Sequence, residues 1–269
     1  MLRILTLASP ALLLALMALA CVTPIISAPS GATSAPSAPP VSDGWETLMP
    51  GLERRSYQPA NALSQLLVLR IDPTLFTFRA HYQPGSPLGI RGWRDALPGS
   101  VAFVNANFFD TQGQILGLLV ADGLAYGLSY TDRGGTFLVQ NGAPRLRSNL
   151  VEPYYSGEPI EQAVQAFPML VQDRQQAYAN SRDRDISRRT IVAQDGSGRI
   201  LLMVTPLGGL NLVDISAYLP TTDMDIVTAF NLDGGGSTMM SLAPINNIAG
   251  QMSLGSFDPV PAVLAVYPR

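Results

Sequence analysis

From Trp45 onward the chain is built of short apolar runs separated by turn residues. Residues 64–71 (SQLLVLRI) and 75–82 (LFTFRAHY) have the composition of strands, and Asp72-Pro73 between them reads as a turn. Residues 101–109 (VAFVNANFF) predict a strand that ends in a turn at 110–113, and 115–121 predict another before Asp122-Gly123. Two hairpins follow from the pattern: 136–140 with 145–147 across Asn141-Gly142, and 189–194 with 199–205 across 195–198 (DGSG). Helical spacing is confined to 91–97 and 210–219, and in the second Leu212, Val213, Ile215, Ser216 and Leu219 share one face. Residues 162–167 fit a strand or a helix, 260–267 (VPAVLAVY) close the chain as a strand, and no internal repeat stands out. The pattern predicts an α+β (mixed α/β) class, mostly antiparallel or mixed sheet with few helices.

The first 43 residues carry a different pattern. A short basic start at Arg3 and an apolar stretch over 4–20 have the layout of a signal peptide, 1–20. The run ends in Met17-Ala-Leu-Ala-Cys21, and Cys21 is the lone cysteine of the chain. A relaxed lipobox would make Cys21 the lipidated mature N-terminus; an ordinary cleavage near Ala20 and a transmembrane anchor are the other readings. The lipoprotein is preferred because residues 21–43, rich in Pro, Ser and Ala, read as an extended tether. The folded domain is then expected over 44–269. It is held outside the cytoplasm at the cell membrane or envelope by a lipid anchor, or else secreted.

Composition narrows the chemistry. Net charge is −3 and charged residues make up 14% of the chain, with no basic cluster, so no nucleic-acid partner is expected. All 17 basic residues are arginine, which excludes a Schiff-base lysine and a P-loop lysine. With one histidine, His81, and one cysteine, most zinc sites are excluded as well. His81 itself reads as a satisfied or exposed strand residue, and Trp45 and Trp93 read as packing residues. Carboxylates, hydroxyls, amides, arginines and backbone groups remain.

Three stretches could carry that chemistry. In 229–240 (AFNLDGGGSTMM) a Rossmann fingerprint fails at Met239, and so does a nucleophile elbow. A glycine-rich hairpin is the plain alternative, but a tight turn needs fewer glycines than three in a row. Consecutive glycines also let a ligand approach the backbone and let N–H groups form an anion nest. In 104–110 (VNANFFD) alternation sends Asn105, Asn107 and Phe109 to one face. Those amides form a polar pocket wall, face water, or satisfy neighbouring backbone. In 183–190 (DRDISRRT) the charges either coat a loop or offer Arg189 as a bidentate phosphate ligand. Asp183 and Asp185 lack the glycine and the distal glutamate of a calcium loop.

In their order along the chain, FVNANFFD, LGLLVADG, FPMLVQD, RRTIVAQDGSGRILLMV, GGLNLVDISAYL and NLDGGGST resemble the phosphodiester glycosidase domain family, in a bacterial exported form. The resemblance covers roughly 45–269, and NLDGGGS is its most specific element. Two departures stand out: Ala106-Asn107 replaces the usual Asn-Gly pair, and Arg188 stands where proline is frequent. The resemblance implies a single phosphodiester-glycosidase-like domain that hydrolyses the glycosyl–oxygen bond of a sugar-1-phosphodiester, releasing a phosphomonoester. In that chemistry Asp233 positions a water or stabilises an oxocarbenium-like transition state, and Arg189 neutralises the phosphate. Asn105, Asn107, Thr190, Asn231, Gly234, Gly235, Gly236, Ser237 and Thr238 are the expected substrate ligands. Asp110 is a second carboxylate candidate with a turn-forming alternative. No cofactor is required, although a divalent metal on Asp233 and asparagine oxygens is compatible. The competing readings are a lipid-anchored glycan- or phosphate-binding protein without turnover, and a phosphodiesterase that cuts the P–O bond.

Overall fold

The computed structural model describes residues 44–60, 62–245 and 253–269. The expected signal peptide, Cys21 and the tether lie outside the described residues. Every strand pairing is antiparallel. The expected sheet-rich fold with few helices forms: its sheets are antiparallel, and the described residues hold two seven-residue α-helices, α1 (Ile90–Ala96) and α2 (Leu212–Tyr218).

An eight-stranded sheet forms the spine, with Leu66–Ile71, Ile200–Val204, Thr190–Asp195 and Ile226–Asn231 side by side in its middle. These strands are apolar almost throughout because both of their faces are covered. In Ile200–Val204, Ile200, Leu202 and Val204 enter the main core, while Leu201 and Met203 enter a second core against Leu212, Ile215 and Leu219. The main core is closed by two five-stranded sheets, which contribute Phe78, Val104 and Leu264 from one and Phe137 and Val164 from the other. Residues 162–167, ambiguous in sequence, supply the central strand Gln162–Ala166 of the latter.

Both predicted helices form, with shifted limits. The expected start of α2 at Leu210 becomes a two-residue strand, Leu210–Asn211, paired with Ile186–Ser187. Asn211 then caps the helix, its side chain accepting from Val213 N (2.8 Å) and Asp214 N (3.3 Å). Trp93 on α1 is buried and donates its indole N–H to Val260 O at 3.1 Å. The strand Ala262–Pro268 lies between Phe76–Tyr82 and Ala102–Asn105, so the latter strand and its Asn105 are held inside a sheet. His81 makes a 3.0 Å hydrogen bond between its ring and the Tyr267 hydroxyl.

Candidate active site

The glycine loop leaves the end of the central strand Ile226–Asn231 and turns through a 3-10 segment, Gly235–Ser237. Each glycine has a distinct reason to be there. A Cβ on Gly234 would lie 2.8 Å from Arg188 O, Gly235 has φ of +60°, and a Cβ on Gly236 would lie 1.9 Å from Asp258 Oδ2. A hairpin turn would need only the second of these. The loop is packed between two other segments, and side chains are excluded where they meet.

Asp233 is clamped at the start of the loop. Its N–H donates to Ala106 O (2.9 Å), its carbonyl accepts from Asn105 Nδ2 (2.7 Å), and its Oδ1 accepts from Gly234 N (2.8 Å). Burial pushes its carboxyl up to about 6, and the neighbouring Asp258 carboxylate adds to the rise. The Ser237 hydroxyl and the Gly234 N–H pull in the other direction and do not cancel it. Asp233 is only partly covered, so it remains within reach of a ligand.

Asn105 and Thr190 serve this clamp. Asn105 Oδ1 accepts from Thr190 Oγ1 (2.6 Å) and Met239 N (3.0 Å), so one buried amide ties three segments together. With these atoms engaged, Asn105 and Thr190 position Asp233 and are not placed to meet substrate. Asn107 and Asn231 differ. Asn107 Nδ2 donates to Leu118 O and Gln165 O, and Asn231 Nδ2 donates to Leu232 O and Phe167 O. The Oδ1 of each is buried without a partner, as is Thr238 Oγ1. Such atoms are uncommon in folded proteins and mark places where a donor is missing.

The anion nest expected from the loop is largely occupied. Gly234 N is bound to Asp233, Gly235 N donates to Arg188 O (2.7 Å), and Ser237 N donates to Gly234 O (3.1 Å). The arginine assignment also changes. Arg189 donates Nε to Leu210 O (3.1 Å) and Nη2 to Asp185 O (2.7 Å) and Asp185 Oδ2 (3.0 Å). Arg188 is the arginine at the glycine loop, with Nη2 donating to Thr238 O at 2.6 Å. Arg188 and Arg189 form the irregular link between the strands Ile186–Ser187 and Thr190–Asp195, and their side chains leave it differently, Arg188 toward Thr238 and Arg189 toward Leu210 and Asp185. Asp110 is a turn former, its Oδ1 accepting from the backbone N–H of Gln112 and Gln114 at 2.9 Å each.

Sequence reasoning missed Asp258 entirely. Phe257 N and Asp258 N both donate to Gly236 O, at 2.7 and 3.2 Å, which lays the exposed segment 257–258 along the loop. A Ser-Phe-Asp-Pro run reads as a surface turn, and nothing in it signals a long-range partner. On the Asn231 side, Phe167 packs against Phe108 (4.8 Å between ring centres) and Tyr130 (5.2 Å), giving the site an aromatic flank. Among the described residues no group of three His, Cys, Asp or Glu side chains is gathered to hold a metal ion.

Comparison with known structures places this arrangement. The chain is similar to the catalytic domain of zebrafish N-acetylglucosamine-1-phosphodiester alpha-N-acetylglucosaminidase, solved auto-inhibited by its pro-peptide. The TM-score is 0.63 at 17% identity, over 83% of this chain and 86% of the other. A hypothetical protein from Synechocystis (TM-score 0.56, 15% identity, 87% and 64% covered) shares the fold. So does a putative exported protein from Burkholderia pseudomallei (TM-score 0.54, 12% identity, 76% and 74% covered). No curated protein sequence matches the chain. The phosphodiester glycosidase family model matches residues 98–267, a span that holds Asn105, Arg188, Asp233 and Asp258. On that match, the chain belongs to the phosphodiester glycosidase family.

Proposed function

We propose that this protein is an exported, lipid-anchored hydrolase that cleaves the glycosyl–oxygen bond of a sugar-1-phosphodiester in envelope or extracellular glycans. The observation that carries the reading is Asp233: its backbone is held by Ala106 and Asn105, its carboxylate accepts from Gly234 N and is partly open, and its pKa is raised to about 6. A group titrating there is suited to take a proton at neutral pH, when it is ionised yet still basic. In the proposed step, water attacks the anomeric carbon and gives a proton to Asp233. The C1–O bond breaks and its electron pair leaves on the phosphate oxygen. A phosphate ester needs no proton to depart, so one base and a neutralised leaving charge suffice. The unpartnered acceptors Asn107 Oδ1 and Asn231 Oδ1 are suited to sugar hydroxyls, and the Phe167 flank is suited to an apolar sugar face.

The test uses full-length protein and a panel of glycosyl-1-phosphodiesters in heavy-oxygen water. The label should enter the released sugar, and Asp233→Asn should lower kcat by about 10²–10⁴-fold. Label in the phosphate, no turnover across the panel, or an unaffected Asp233→Asn would each sink the reading. Mass spectrometry of the mature N-terminus tests lipidation of Cys21.

A further inference from the structure

The buried arginines of this protein have carboxylate partners, with one exception among the described residues. Arg70 is paired with Glu53 at 2.7 Å, Arg147 with Glu158 and Glu152 at 2.6 and 2.9 Å, and Arg189 with Asp185 at 3.0 Å. Arg188 is as deeply buried, at 6% exposure, and meets no carboxylate. Its Nη2 is shared between Thr238 O (2.6 Å) and Gly255 O (2.8 Å), while its Nε is buried with no acceptor. Two neutral carbonyls do not cancel a full charge. A buried cation without a counter-charge is unfavourable, for the same reason that breaking a buried ion pair is. Arginine does not escape that cost by losing its proton. The site is therefore short of one anion.

The location says which anion. Gly235 N donates to Arg188 O and Arg188 Nη2 binds Thr238 O, so this residue braces both ends of the loop that begins at Asp233. Phe257, 69% exposed, lies over the guanidinium with 4.6 Å from Cζ to its ring centre, so one face of the cation has an aromatic cover. We propose that Arg188, not Arg189, receives the phosphate group of the substrate, with the anomeric carbon directed at Asp233. The identity of the anion as a phosphodiester rests on the function proposed above; the need for an anion rests on the geometry alone. As the C1–O bond breaks, negative charge grows on the phosphate, and a fixed guanidinium in a partly dry site stabilises that growth more than it stabilises the ground state.

The test uses full-length protein and inorganic phosphate as the probe, with binding read as a rise in Tm and as competitive inhibition of turnover. Wild type should bind phosphate, and Arg188→Gln should weaken binding by about tenfold or more, the loss of a charge-assisted fork. Arg188→Lys keeps the charge but not the fork, and should weaken it by roughly threefold or more. That variant decides the matter where Arg188→Gln does not fold. In steady state, Arg188→Gln should lower kcat/KM for a glycosyl phosphodiester by at least the same factor, with part of the loss in kcat. No phosphate binding by wild type, or equal binding by the variants, overturns the proposal. Phosphate binding that depends on Arg188 without turnover of any phosphodiester keeps the anion site and removes the proposed function. Turnover with an unchanged kcat/KM in Arg188→Gln does the reverse.

Discussion

Asp233→Asn should make the protein more stable at alkaline pH than at acid pH, relative to wild type. The carboxyl titrates near 6 in the folded chain against an ordinary aspartate value of 3.8, chiefly because burial disfavours its charge. Below about pH 4 both folded and unfolded forms hold the proton, and the group adds no penalty. Between about pH 4 and pH 6 the unfolded chain has lost the proton and the folded chain retains it, so stability falls as pH rises. Above about pH 6 the loss is complete. A displacement of about two pH units corresponds to about 3 kcal/mol at most. For a domain of this size that is roughly 6–12 °C in Tm. Asparagine is nearly the same shape, can still accept from Gly234 N, and does not ionise. Urea unfolding of wild type and Asp233→Asn at pH 4 and pH 8 isolates the effect, because titrating groups that do not interact with Asp233 cancel in the difference. A difference that is the same at both pH values would falsify the assignment of a raised, burial-driven pKa to this residue.

Other outcomes follow from the same geometry. Plots of kcat/KM against pH should rise through about 6 as Asp233 ionises, and a flat profile across that region would exclude it as the base. Arg189→Met should cost about 1–3 kcal/mol in chemical unfolding, since Leu210 O and Asp185 O lose their donor, with KM for a phosphodiester unchanged. Gly236→Ala places a methyl 1.9 Å from Asp258 Oδ2. The displaced segment should lower kcat on the order of 10²-fold, measured at full folded population by circular dichroism. Glu158→Gln breaks the Arg147 pair, whose side chains are 3% and 4% exposed. With Glu152 still paired to Arg147, it should cost about 1–3 kcal/mol in unfolding and leave kcat untouched.

Much of the sheet was legible because strands such as Leu66–Ile71 and Ile200–Val204 are short, β-rich and bounded by turn residues. The hairpin of Thr190–Asp195 with Ile200–Val204 was legible as well, but the neighbour of Ile200–Val204 on its other side was not, because that strand is buried on both faces and carries no alternation to say which side meets which core. The ambiguous 162–167 became a strand because pairing on both sides overrode its weak local preference. In the site, Asp233 and the loop were legible from glycine density. The exchange of Arg189 for Arg188 was not legible, because both lie in the link between two strands, where no alternation applies. Nor was Asp258, since its meaning comes from a contact with Gly236, which its own neighbours in sequence do not encode.

The position of Ala262–Pro268 bears on how this protein comes to exist. It is inserted between Phe76–Tyr82 and Ala102–Asn105, and that last strand carries the amide that holds Asp233. Contacts joining residues so far apart in the chain form late, after most of the loop-closure entropy has been lost. A chain delivered N-terminus first cannot seat the Asp233 loop until residue 268 has arrived, so partly delivered forms should lack the assembled site.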